Sequence, residues 1–166
     1  MFCNCKMKTP DYPVASHWGP PLWGLLHTLA ERVSTSPTTQ EDKHLWNHAL
    51  TALPKVIPCP ECREHAVAWM AAHPVSDYMA LTTKVDRRTW LIDWFHAFHE
   101  SVNARLGKPP FEKARLHELY RTKNLKEYMT QLKPFMTSAI QLSGVTILSW
   151  KRFVGFLIAL QSVYGL

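Results

Sequence analysis

From Trp18 to Leu106 the apolar side chains recur three or four residues apart, interrupted at prolines, glycines and short polar stretches. That is the period of a helix with one buried face, and no region alternates as a half-buried strand would. Trp23, Leu26, His27 and Ala30 predict a helix over about 19–33, with Pro20 and Pro21 suited to its first turn. A polar connection, Ser34 to Thr39, leads to Leu45, Trp46, Ala49, Leu50 and Leu53, which mark a second helix that Pro54 stops. Pro58 and Pro60 bracket Cys59 and open a third helix, which runs through Cys62, Ala66, Trp69 and Met70 to about Ala72. The longest periodic segment extends from about Asp86 to Leu106, carries Trp90, Leu91, Trp94, Phe95, Phe98 and Val102, and ends at Gly107 and Pro109. A short helix over about 111–120 follows. Two more helices are expected after Thr122, separated near 134–144, although Val145 to Ser149 also fits a strand. The predicted class is all-α, a helical bundle.

A chain of 166 residues, 46% of them apolar, can bury one full-sized core. Its formal charge of +6 raises nucleic acid as a partner. However, Lys and Arg are scattered singly or in pairs through apolar segments rather than forming a stripe, so no nucleic-acid binding is expected. A phosphate-bearing cofactor or an acidic partner would use the same charge. The opening MFCNCKMKTPDYP lacks a signal-peptide layout, so the expected location is the cytoplasm. Val145 to Leu166 is strongly apolar, but Lys151 and Arg152 leave an uninterrupted run from Phe153 that is shorter than the ~20 residues of a spanning helix. A buried or partner-facing helix is favoured there over membrane contact.

The four cysteines come as two close pairs, Cys3-x-Cys5 and Cys59-x-x-Cys62. Cysteines that staple a fold more often close long loops, so this spacing points to redox or metal chemistry. At a helix N-terminus, exposed N–H groups and the positive dipole end stabilise a thiolate, and Arg63 would add positive charge. Zinc is the competing use: His96 and His99 form an HxxH that could join Cys59 and Cys62 in a Cys2His2 interaction module. Such sites usually organise small loop-rich modules rather than two long helices. A thioredoxin-like fold is disfavoured because no βαβ pattern surrounds the motif. His99, Val102, Asn103 and Leu106 share one helical stripe, and Trp23 and His27 are i and i+4 neighbours, so both sets could face a flat ligand. Cys3 and Cys5 lie on an arm, residues 1–16, and are a candidate shuttle to Cys59, since a strained CxC disulfide should be relatively oxidising; the alternative is a disordered N-terminus with incidental thiols.

Three segments together, WGPPLWGLLHT from Trp18, PCPEC from Pro58 and HESVNARLGKP from His99, resemble the Erv/ALR family of FAD-linked sulfhydryl oxidases. The WGPxxW form is most similar to members encoded by large cytoplasmic DNA viruses, for which the location would be host cytoplasm or virion. The resemblance implies a four-helix bundle with an additional short helix and a helical C-terminal extension. Residues 17–121 would form the FAD-binding domain and 122–166 an added segment of unassigned role. It further implies a homodimer, thiol-containing protein substrates or a thioredoxin-like relay protein, and dioxygen as the acceptor that yields hydrogen peroxide. Gly19, Trp23, His27, His99, Val102, Asn103, Leu106 and Lys108 would line FAD, with Tyr120 and Arg121 near the adenine. Cys62 would face the flavin, and Cys59 would exchange with substrate. His96 and Lys113 occupy positions where many members carry a structural disulfide, so packing is expected to replace that bridge. Glu100, Ile57 and Tyr120 also depart from the family pattern, which leaves a catalytically degenerate member acting as an assembly scaffold as a further alternative.

Overall fold

The computed structural model describes residues 11–33 and 41–166. Cys3, Cys5 and the Ser34 to Thr39 connection lie outside the described residues. Among those described there are eight α-helices and no strand: α1 Ala15–Arg32, α2 Glu41–Ala52, α3 Pro60–Ala72, α4 Ser76–Ala80, α5 Lys84–Arg105, α6 Leu116–Tyr120, α7 Leu125–Gln141 and α8 Ile147–Val163. Short 3-10 turns, Leu53–Val56 and Lys113–Arg115, follow α2 and precede α6. The all-α expectation holds.

Four boundaries differ from the sequence reading. α1 starts a turn earlier, so Pro20 and Pro21 lie inside it. His17 N–H bonds the Val14 carbonyl at 2.9 Å, and the Trp18 indole bonds the Pro13 carbonyl at 3.0 Å, which starts the helix before the prolines arrive. α4 carries too few apolar repeats to be seen as a period. α6 begins after Pro109 and Pro110 and is correspondingly short. Pro134 falls inside α7 rather than ending it. An interior proline costs about 3 kcal/mol, but Leu132, Met136 and Ala139 on either side of it are buried, and that burial outweighs the lost bond. The break between α7 and α8 comes at Ser143, whose φ of 60° terminates α7. The Thr146 hydroxyl accepts the Ser149 N–H at 3.1 Å and caps α8, so Val145 to Ser149 is not a strand.

α1 is the central element, packed against α5, α6 and α7, while α8 lies along α2. Leu25, Leu26, Leu29, Ala30 and Val33 of the first helical segment are fully buried, and Phe153, Leu157 and Leu160 of α8 belong to the same core. The segment after residue 121 is therefore integral to the bundle. Its far end is fixed by a buried polar cluster. Tyr164 donates its hydroxyl to the Asp42 carboxylate at 3.2 Å and accepts the Trp46 indole N–H at 2.7 Å. Asp42 also pairs with Arg87 at 3.2 Å, both side chains fully buried. Burial pushes the Asp42 carboxyl upward, and Arg87 and Tyr164 pull it back. Among the described residues no helix is long and apolar enough to cross a membrane.

Candidate functional site

Cys59 is the N-cap of α3 and Pro60 its first residue, which puts Cys62 at the third helical position. The Cys62 N–H points at the Cys59 sulfur, 3.3 Å away, and the two sulfurs are 2.7 Å apart. The turn thus holds the pair close enough for a disulfide to open and close without moving the backbone. Burial of Cys62 and its hydrogen bond to Cys59 push its thiol up to about 11, against a downward pull from Arg105. The upward shift at Cys62 runs against the thiolate stabilisation that a helix N-terminus favours.

Arg63 does not supply charge to the sulfurs either. Its guanidinium donates to the Ile57 carbonyl at 2.9 Å and to the Gly144 carbonyl, bracing the thiol turn against the α7–α8 connection. A Cβ on Gly144 would strike the Tyr12 ring and stand 3.2 Å from the Pro58 carbonyl, so these three residues are in close packing. The cation at the sulfur is Arg105, whose Nη2 lies 3.5 Å from Cys62 Sγ.

Behind Cys62 opens a cavity of about 360 Å³, within the size range of cofactor sites. α1 contributes Trp18, Gly19, Leu22, Trp23 and Leu26, and α5 with its C-cap contributes Phe98, His99, Val102, Asn103 and Leu106. Trp23 and His99 stack with centroids 4.2 Å apart and planes within 8°, and the Trp23 ring meets Phe98 edge-on. Burial holds the His99 imidazole down to about 4 and that of His27 to about 3, so the aromatic wall is uncharged near neutral pH. Positive charge is confined to the rim, at Arg105, Lys108 and Lys123. Such a box suits a flat ring system carrying an anionic tail.

Of the positions implied for the cofactor, Gly19, Trp23, His99, Val102, Asn103, Leu106, Lys108 and Tyr120 line this cavity together with Cys62. His27 stands behind the lining, stacked on Tyr120 at 4.9 Å, and its Nε2 has no hydrogen-bond partner among the described residues. Arg121 is exposed and outside the lining, and the half-buried Cys59 also lies outside it. Sequence reasoning missed Trp18, Leu22 and Leu26, whose four-residue spacing was there to be read. It also missed Arg105 and, from the segment after residue 121, Lys123, Tyr128 and Gln131.

The end of α5 and the loop after it accommodate three substitutions, at His96, Glu100 and Lys113. Gly107, at φ 64°, closes the helix, and Lys108 N–H returns to the Asn103 carbonyl at 2.9 Å, which sets Lys108 at the cavity mouth. Glu100 accepts from the Asn103 amide at 2.8 Å and from Phe111 N–H at 3.1 Å, while His96 Nε2 donates to the Phe111 carbonyl at 2.8 Å. Lys113 pairs with Asp93. Hydrogen bonds and an exposed ion pair thus link the loop to α5 at the place of the missing disulfide. With His96 committed there and His99 stacked on Trp23, the Cys2His2 site does not assemble. Among the described residues no three His, Cys, Asp or Glu side chains converge in a way that could hold a metal ion.

Comparison with known proteins gives a consistent relationship. The Erv1 / Alr family profile matches residues 20–121. The chain is 30% identical over 110 residues to an FAD-linked sulfhydryl oxidase of African swine fever virus, covering 66% of this chain and 85% of that one. It is 32% identical over 106 residues to the mitochondrial FAD-linked sulfhydryl oxidase erv1 of Schizosaccharomyces pombe, covering 64% and 54% respectively. Over 95 residues it is 30% identical to the FAD-linked sulfhydryl oxidase ERV1 of Oryza sativa, covering 57% and 44%. No solved structure matches significantly.

Proposed function

The chain belongs to the Erv1 / Alr family, and from that premise we propose that it is an FAD-linked sulfhydryl oxidase whose Cys59–Cys62 pair oxidises dithiols in protein substrates. The observation that carries this reading is the position of Cys62, the one sulfur of the pair that lines the aromatic cavity.

FAD fits the residues present. Gly19 is buried, yet a Cβ there would meet nothing within 4 Å, so the space beside it is cavity that a side chain would fill. The Asn103 side chain offers a polar contact at an otherwise apolar wall, with the unpartnered His27 Nε2 behind that wall, and Arg105, Lys108 and Lys123 offer cations to a pyrophosphate. When bound, FAD supplies a two-electron acceptor for the thiol pair, reoxidised by dioxygen to give hydrogen peroxide.

The protein's own steps are thiol exchange and positioning. A substrate thiolate attacks Cys59 of the disulfide, forming a mixed disulfide and releasing Cys62 as thiolate. The second substrate thiol then attacks the substrate sulfur of that mixed disulfide, freeing Cys59 and leaving the substrate oxidised. Arg105 supports the negative charge on Cys62 in a site whose burial opposes it. Residues 17–121 act as the cofactor domain, and the working unit is a homodimer, a reading that kinship supports. Cys3 and Cys5 serve as the shuttle from protein thiols or a thioredoxin-like relay to Cys59. Tyr12 packs on Gly144 beside the thiol turn, and the seven residues from Cys5 to Tyr12 span up to about 25 Å, ample for the reach.

The purified protein should be yellow, bleach on addition of a dithiol and consume oxygen. Cys62→Ser should lower dithiol-dependent oxygen uptake more than a hundredfold while FAD stays bound. A colourless protein, or undiminished uptake by Cys62→Ser, would overturn the reading.

A further inference from the structure

Three residues that line the cavity, Lys123, Tyr128 and Gln131, lie beyond the stretch that matches the family. Two belong to α7, which packs along α1. Tyr128 is the best anchored of them. A Cβ on Gly24 of α1 would collide with its ring, so glycine at that position lets the ring lie directly on the α1 backbone. Gly24 itself does not line the cavity. One side of the Tyr128 ring is thus fixed against α1 while the residue forms part of the wall, close to Tyr120, the residue on which His27 stacks.

We propose that α7 supplies part of the cofactor site, with Tyr128 as an FAD-contacting residue held in place by Gly24. The inference rests on the assignment of the cavity to FAD. It gives the segment after residue 121 a role in binding as well as in the core. An aromatic face on a flat ligand is worth about 0.5–1.5 kcal/mol beyond the area it covers. Removing it should therefore weaken binding by up to about tenfold.

The test is titration of apoprotein with FAD, followed by flavin absorbance and fluorescence, together with the Tm of each apoprotein. Tyr128→Ala should raise the Kd for FAD five- to tenfold with an apoprotein Tm close to wild type. Gly24→Ala, which improves helix propensity and whose nearest contacts would all be atoms of the Tyr128 ring, should also weaken FAD binding by displacing that ring. In the Tyr128→Ala background the same Gly24→Ala change should have no further effect, because the two act through one contact. Should Tyr128→Ala be too unstable to titrate, Tyr128→Leu, which keeps bulk but no ring, carries the same expectation. Wild-type affinity in the Tyr128 variants, or an undiminished Gly24→Ala effect without Tyr128, would overturn the proposal. Failure of the wild-type protein to bind FAD would instead overturn the functional reading beneath it.

Discussion

Arg105 Nη2 stands 3.5 Å from the Cys62 sulfur, on the side where that sulfur meets the cavity. Its charge works against the burial that raises the thiol. In a Cys59→Ser background, Arg105→Gln should move the pH midpoint for alkylation of Cys62 upward, and Arg105→Lys should move it less. Identical midpoints for all three would show that the guanidinium has no hold on the sulfur.

His99 in the cavity wall and His27 behind it make the fold acid-sensitive. His27 and His99 resist protonation in the folded state, down to about 3 and 4, whereas the unfolded chain takes up those protons near 6.5. Between these limits the unfolded state binds more protons, so stability is present above about 6.5 and is lost as pH falls through the folded values. Each should contribute on the order of 2 kcal/mol of loss between pH 7 and pH 5. Apoprotein Tm measured across that range should fall, and replacing His27 with Gln should flatten the slope. An unchanged slope in that variant would remove His27 from the account.

Tyr164→Phe deletes one hydroxyl from the buried cluster with Asp42 and Trp46. Leaving those partners short of a bond should cost about 1–3 kcal/mol, which is a Tm drop of roughly 2–12 °C for a domain of this size. The expected readout is lower Tm with FAD affinity at fixed temperature little changed. A loss of less than a degree would mean that water substitutes for the hydroxyl.

Gly19→Ala fills the space beside a buried glycine that has no neighbour within 4 Å. Apoprotein Tm should stay level or rise, since alanine is about 0.5–1 kcal/mol better than glycine inside a helix. FAD affinity should nevertheless drop at least fivefold. Unaltered affinity would place the bound cofactor away from this part of α1.

Much of this architecture is written locally. The stripe His99, Val102, Asn103 and Leu106 faces the cavity as helical spacing requires, and the prolines around Cys59 start α3 where they should. What escaped the sequence is non-local. Arg63 and Arg105 are equally plausible neighbours of a thiol on paper, and which one reaches it depends on α5 crossing α3 and on the Gly144 carbonyl capturing the other. Tyr128 gives no local sign of lining the cavity, because its partner Gly24 lies a hundred residues earlier. Pro134 misled for the same reason, since the packing of α7 on α1 overrides a local breaker.

That arrangement also governs how the protein is made. α1 is synthesised well before α7, which covers it, and α2 well before α8 and Tyr164, which complete its packing. A nascent chain halted after α6 exposes both helices and lacks one wall of its cavity. Closure of the cavity must therefore follow synthesis of α7, and the burial of α2 must follow that of α8.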